Sequence, residues 1–150
     1  MKIKKIFLGA DHAGFELKEH VKKYLVEQGI KVEDKGAFAV DEQDDYPDFV
    51  VPVAKEVAKN PNSKGIIFGA SGQGEAIAAN KIKGIMAALY YGHNMKIVKL
   101  SRTHNNANIL SLGARFLSKE EALDAVKIWL KTDFSGESRH IRRIKKINKI

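Results

Sequence analysis

Short apolar runs alternate with stretches whose apolar residues recur three and four apart, from one end of the chain to the other. That alternation constrains the fold more than any other feature. Residues 3–8 read as a strand that stops at Gly9, and residues 10–14 as a turn. Phe15, Leu17, Val21, Tyr24 and Leu25 mark a helix ending before Gly29. A short strand follows over 30–34. Beyond an acidic loop (Asp41, Glu42, Asp44, Asp45), Pro47 opens a second helix carrying Phe49, Val50, Val53 and Val57, with Pro52 close to its first turn. Residues 65–68 make a wholly apolar strand, the kind buried in the middle of a parallel sheet. A glycine loop and a third helix come next, then a strand over 85–90, a helix within 94–102 and a fifth strand over 108–112. Ser118 and Glu121 form a capping box before a helix bearing Ala122, Leu123, Val126, Trp129 and Leu130. A basic helix from about residue 136 closes the chain, with isoleucines at 141, 144, 147 and 150 on one stripe. The expectation is a doubly wound, five-stranded parallel sheet with a C-terminal helical tail, one domain over residues 1–150.

The chain has no cysteine, which excludes disulfides, thiolate metal sites and a catalytic thiol. The first apolar run is too short for a signal peptide, and no run approaches the roughly 20 residues of a membrane span. A reducing cytoplasm and no membrane partner are expected. The formal net charge of +8 favours polyanions, acidic membranes or small phosphorylated ligands. Much of the excess sits at the end, in Arg139, Arg142, Arg143, Lys145, Lys146 and Lys149. The aromatic residues that a single-strand nucleic-acid platform needs are not interleaved with them, so no nucleic-acid partner is expected.

Ligands of such sheets bind beyond the carboxyl ends of the strands. The loop after the third strand holds Ser71, Gly72, Gly74 and Glu75. Glycines there let backbone N–H groups converge on an anion, and a carboxylate in the first helical turn can serve as a base or simply complement the helix dipole. No Gly-Lys-Ser/Thr follows, so the loop is not a nucleotide P-loop. Asp11 and His12, after the first strand, either point into a cleft or serve as a cap and a surface residue. His104 and Asn105 lie in a polar run before the fifth strand; a histidine can move protons near neutral pH, and it can equally be solvated. Arg115 follows the fifth strand. Arg139 and Arg143 are four apart, so they share a helix face and can either clamp one phosphate or form a solvated basic end.

The pieces, taken together, are similar to a known family. Gly-Ala-Asp-His-Ala-Gly-Phe from position 9, Asp-Tyr-Pro-Asp from 45, Gly-x-Gly-Glu-x-Ile-Ala-Ala-Asn-Lys from 72, Ser-Arg-x-His-Asn-x-Ala-Asn from 101, Leu-Gly-Ala-Arg from 112 and Arg-His-x-x-Arg from 139 occur in that order. The sequence resembles the type B ribose-5-phosphate isomerases and the galactose-6-phosphate isomerase subunits over nearly its whole length. The resemblance implies a Rossmann-like α/β/α sandwich, no metal or organic cofactor, and a homodimer (or a tetramer of such dimers) with active sites at the subunit interface. It assigns Asp11 to the sugar, His12, Arg139 and Arg143 to the phosphate with Arg115 assisting, and His104 beside Asn105 to ring opening. It assigns Ser71 and the backbone at Gly72 and Gly74 to an anion hole. Many members use a cysteine base where this chain has Gly69; another branch carries Glu at position 75, which the cysteine-free composition fits. Met86 stands where arginine is common, and residues 91–95 form a slightly longer segment.

The implied reaction is aldose–ketose isomerisation of a small phosphorylated sugar through an enediolate, with Glu75 moving the proton between C2 and C1. Ribose 5-phosphate is the expected substrate. Galactose 6-phosphate, allose 6-phosphate and a tetrulose phosphate are alternatives, and a non-catalytic phosphate- or nucleic-acid-binding domain is the rival outside enzymology.

Overall fold

A computed structural model describes residues 3–150. The chain runs β1 (Lys5–Ala10), α1 (Phe15–Glu27), β2 (Val32–Asp34), α2 (Pro47–Lys59), β3 (Ser63–Gly69), α3 (Gln73–Asn80), β4 (Ala87–Tyr90), α4 (Lys96–Thr103), β5 (Ile109–Gly113), α5 (Lys119–Lys131) and α6 (Ser138–Ile147), with a 3-10 turn at Ala114–Phe116. The five strands form one parallel sheet in the order β2-β1-β3-β5-β4. Strand residues alternate between its two faces. Ile6, Leu8, Ile66, Phe68, Leu110 and Leu112 face a core closed by α1, α4 and α5, including the fully buried Trp129. Phe7, Ile67 and Ile109 face the other core, closed by α2 and α3. The predicted doubly wound sheet with a helical tail is the observed architecture.

Several boundaries differ from the sequence expectation, for local reasons. β1 continues through Gly9 to Ala10, because Ala10 pairs with Phe68 and its N–H donates to the Gly36 carbonyl at 2.8 Å. β4 is shorter than its apolar run: it starts at Ala87, while Ile85 is buried before it and the Met86 N–H donates to the Asn108 side chain at 2.8 Å. Pro52 lies inside α2 rather than near its first turn. An internal proline removes one helical hydrogen bond and costs roughly 3 kcal/mol. Burial of Val50, Val53, Ala54 and Val57 against the sheet offsets that, at about 1.5–3 kcal/mol for each valine. The capping box at the start of α5 is formed as expected, with Ser118 Oγ accepting from the Glu121 N–H at 3.0 Å and Glu121 Oε1 from the Ser118 N–H at 3.1 Å.

Parallel topology also sorts the loops. Strand ends release the chain at the carboxyl edge of the sheet, and helices return it to the amino edge. The two edges are held apart by the seven residues of β3, on the order of 20 Å at a strand's rise.

Candidate active site

The chain leaves β1 toward one side of the sheet and β3 toward the other, which opens a crevice between their carboxyl ends. Asp11 follows β1 there, the glycine loop follows β3, and Arg115 lies in the turn after β5. Gly72 is the N-cap of α3 at φ +78°, a left-handed conformation that disfavours any side chain. Two hydrogen bonds hold the loop: buried Ser111 Oγ donates to the Gly72 carbonyl at 2.7 Å, and the Arg115 N–H donates to the Ala70 carbonyl at 3.0 Å. Ser71 Oγ accepts from the Gln73 N–H at 3.2 Å. The opening N–H groups of a helix have no acceptor within it, so this turn presents donors to the crevice.

Glu75 sits in the first turn of α3 and is only 4% exposed. Its carboxylate occupies the space that a side chain at Gly69 would need, so a Cβ there would overlap its carbon and oxygens. Burial pushes the Glu75 carboxyl above the usual carboxylate range; a hydrogen bond from its own N–H opposes this, and the charge of Asp11 adds to it. A buried carboxylate with raised proton affinity, at the mouth of a crevice, is suited to taking a proton and returning it. Asp11 is also buried, and its Oδ1 accepts from the N–H groups of Ala13 at 3.0 Å and Gly14 at 3.2 Å. It therefore shapes the turn into α1 as well as lining the crevice.

His12, next to it, is fixed from the acidic loop. Asp44 Oδ1 lies 2.7 Å from His12 Nδ1 and accepts from the His12 N–H at 3.2 Å. That hydrogen bond pushes the imidazole above its usual range; partial burial opposes it, the charges of Asp11 and Asp44 support it, and Arg115 opposes it. Asp11, His12 and Asp44 bring one potential ligand atom each within 4.8 Å of one another, so this is the place among the described residues where a cation could be held. The His12 nitrogen and the Asp44 oxygen are already engaged with each other.

The remaining sequence candidates lie elsewhere. α4 returns the chain to the amino edge, and His104 and Asn105 follow it there. Asn105 lines a hollow with Ile85, Met86 and Ile147, which places α6 at the same edge. The His140 ring stacks on His104, with centroids 4.2 Å apart and planes at 20°. His140 is buried and its Nε2 has no partner; burial pushes it below the usual range, and His104, Arg139 and Arg143 press the same way. Arg139 and Arg143 are both exposed, and Arg139 bonds Glu137 at 2.7 Å. Exposed ion pairs are worth little, so Arg139 is easily recruited elsewhere. Within one chain, then, Asp11, His12, Ser71, Gly72, Gly74, Glu75 and Arg115 form one cluster, and His104, Asn105, Arg139 and Arg143 form another a sheet's length away.

A family model described as Ribose/Galactose Isomerase matches residues 6–147. The chain belongs to the ribose/galactose isomerase family. Among relatives in this family, ribose-5-phosphate isomerase B of Mycolicibacterium paratuberculosis is 42% identical over 93% of this chain and 87% of its own length. The crystal structure of ribose-5-phosphate isomerase B from Mycoplasma genitalium with bound ribulose-5-phosphate superposes with a TM-score of 0.94 at 40% identity, covering 99% of this chain and 97% of that one. A ribose 5-phosphate isomerase of Thermotoga maritima gives 0.91 at 44% identity, covering 97% and 98%.

Two residues of this site escaped the sequence reading. Ser111 anchors the glycine loop, and its only signal was a hydroxyl inside an apolar strand. Asp44 holds His12, but it looked like one of several solvated acids. His140 stands among the basic residues the sequence grouped with Arg115, Arg139 and Arg143, and the structure adds its stacking on His104.

Proposed function

We propose that this chain interconverts ribose 5-phosphate and ribulose 5-phosphate through an enediolate, with Glu75 as the base. The observation that carries the reading is the buried Glu75 carboxylate beside the donor-rich turn of α3, in a fold that matches a ribose-5-phosphate isomerase B holding ribulose-5-phosphate. Glu75 removes the proton from C2 of the open-chain aldose. The C2–H pair forms the C1–C2 double bond and charge moves to the C1 oxygen. Ser71 and the backbone N–H groups at Gly72 and Gly74 stabilise that charge; one such donor is worth ~3 kcal/mol in the transition state. Proton exchange between the two oxygens and return of the proton from Glu75 to C1 complete the ketose. Asp11 binds sugar hydroxyls, and His12 with Arg115 faces the phosphate.

The reading requires the second cluster as well. His104 opens the sugar ring beside Asn105, and Arg139 and Arg143 grip the phosphate. A five-carbon phosphate is far shorter than the separation of the two edges, so the two clusters come from different chains. The proposal is thus a homodimer in which the amino edge and α6 of one chain complete the crevice of the other. Uncovered apolar surface supports it: Ile77 on α3 is 65% exposed, Ile147 is 43% exposed and Ile150 fully so. The single-domain reading and the cytoplasmic setting expected from the cysteine-free sequence belong to the same proposal.

The test is an isomerase assay with chelator present, against five- and six-carbon aldose phosphates. Turnover of ribose 5-phosphate in preference to galactose 6-phosphate and allose 6-phosphate is the expected result. Binding of the phosphosugars without turnover would contradict it.

A further inference from the structure

The His12–Asp44 contact is built more carefully than a loop staple requires. Asp44 comes from the segment between β2 and α2, 32 residues away in the chain, and its side chain is only 8% exposed. One oxygen serves both Nδ1 and the backbone N–H of His12, while Oδ2 is buried with no partner. Burying a carboxylate this far is costly unless a charged partner compensates, and the imidazole of His12 is the group in contact with it. The root of the same segment is fixed too: buried Lys18 bonds Asp34 Oδ2 at 2.6 Å, and Asp34 Oδ1 accepts from the Gly36 N–H at 2.8 Å. Asp44 therefore approaches His12 from an anchored loop.

We propose that Asp44 is a positioning residue for the phosphate end of the site: it binds Nδ1 of His12, leaving Nε2–H as the donor presented to the substrate phosphate. This rests on the isomerase reading above for the identity of that anion. The chemistry is a count of protons. A neutral imidazole has one N–H, which can serve the carboxylate or a phosphate; an imidazolium has two and serves both. The Asp44 contact favours the doubly protonated ring, raising its proton affinity. The charged groups facing His12 are Asp44 from the acidic loop, its neighbour Asp11, and Arg115 from the turn after β5; the first two favour the imidazolium and Arg115 opposes it.

Asp44→Asn keeps the shape of the side chain and removes the charge. The probe is inhibition by inorganic phosphate, together with KM for ribose 5-phosphate, in wild type and variant at pH 8 and pH 6. At pH 8 the variant is expected to bind phosphate about tenfold more weakly and to show a matching rise in KM, with a much smaller change in kcat. At pH 6 the gap narrows, because His12 then takes up its proton unaided. In a His12→Gln background the same substitution is expected to change affinity by less than about twofold, because Asp44 acts through the ring. The NMR titration of the His12 ring, read without substrate, should move to lower pH in Asp44→Asn. An equal loss at both pH values, or an undiminished loss in the His12→Gln background, would make Asp44 a loop staple and overturn the proposal. So would wild-type affinity or an unmoved His12 titration. An active wild type with any of these results sinks this inference alone; a wild type that neither isomerises nor binds phosphate sinks the functional reading with it.

Discussion

The two edges of the sheet are made differently. At the carboxyl edge the chemistry is buried and pre-set: Glu75, Asp11 and Ser111 are all below a tenth exposed, and the glycine loop is tied down from two sides. At the amino edge the basic groups Arg139 and Arg143 stand in the open on α6, braced chiefly by the His104–His140 stack. On the reading proposed above, one edge holds the proton-transferring carboxylate with little to grip a dianion beyond His12 and Arg115. The other holds exposed cations whose neighbouring carboxylate, Glu137, is itself half exposed and paired with Arg139. Each lacks what the other has, and within one chain the length of the sheet lies between them. Under the proposed function, the chain carries two half-sites.

The largest expected effect lies at the carboxyl edge. Glu75→Gln removes the base without changing its size, so kcat should fall by about 10³-fold while phosphosugar binding stays near wild type, measured by steady-state kinetics and calorimetry. Near-normal turnover would strip the carboxyl edge of its role. At the other edge, Arg143→Ala should leave kcat within a few-fold and raise KM for ribose 5-phosphate roughly tenfold or more, the worth of one charged hydrogen bond to phosphate. An unchanged KM would remove α6 from the site.

A smaller effect concerns the burial of Glu75 at the carboxyl edge. The Glu75 pKa is raised in the fold, so the folded state holds this proton more tightly than the unfolded chain does. Stability from this group is present at pH values below the ordinary glutamate range, and is lost as pH rises through the folded pKa. Glu75→Gln should therefore melt a few degrees higher than wild type at pH 7.5, with the gain vanishing as pH falls below about 4.5. A lower melting temperature at pH 7.5 would show that the carboxylate is stabilising where it stands.

What was legible in the sequence follows the same division. The sheet could be read because its strands are short apolar runs punctuated by glycine, and β3 stood out because both of its faces are buried. The carboxyl-edge residues could be found because they follow strands, where a parallel sheet places ligands. Strand ends were less legible: Ala10 belongs to β1 because of pairing with Phe68, a contact 58 residues away that no local pattern encodes. Pro52 stays helical because long-range burial overrides local preference. The separation of His104 and Arg139 from Glu75 could have been drawn from connectivity alone, since the first lies where a helix returns to the amino edge. The His104–His140 stack and the Asp44–His12 bond needed coordinates, because both join segments with no shared periodicity.

The two-half-site account is tested most directly by mixing two dead proteins. Glu75→Gln spoils the carboxyl edge and His104→Asn spoils the amino edge, so each homodimer alone should be nearly inactive. After unfolding and refolding together at equal amounts, half the dimers are mixed, and one of the two sites in each mixed dimer draws both intact edges. The account predicts recovery of about a quarter of wild-type activity. No recovery, with mixed dimers demonstrated by mass spectrometry, would mean that both edges serve one site within a single chain, and the account would be wrong.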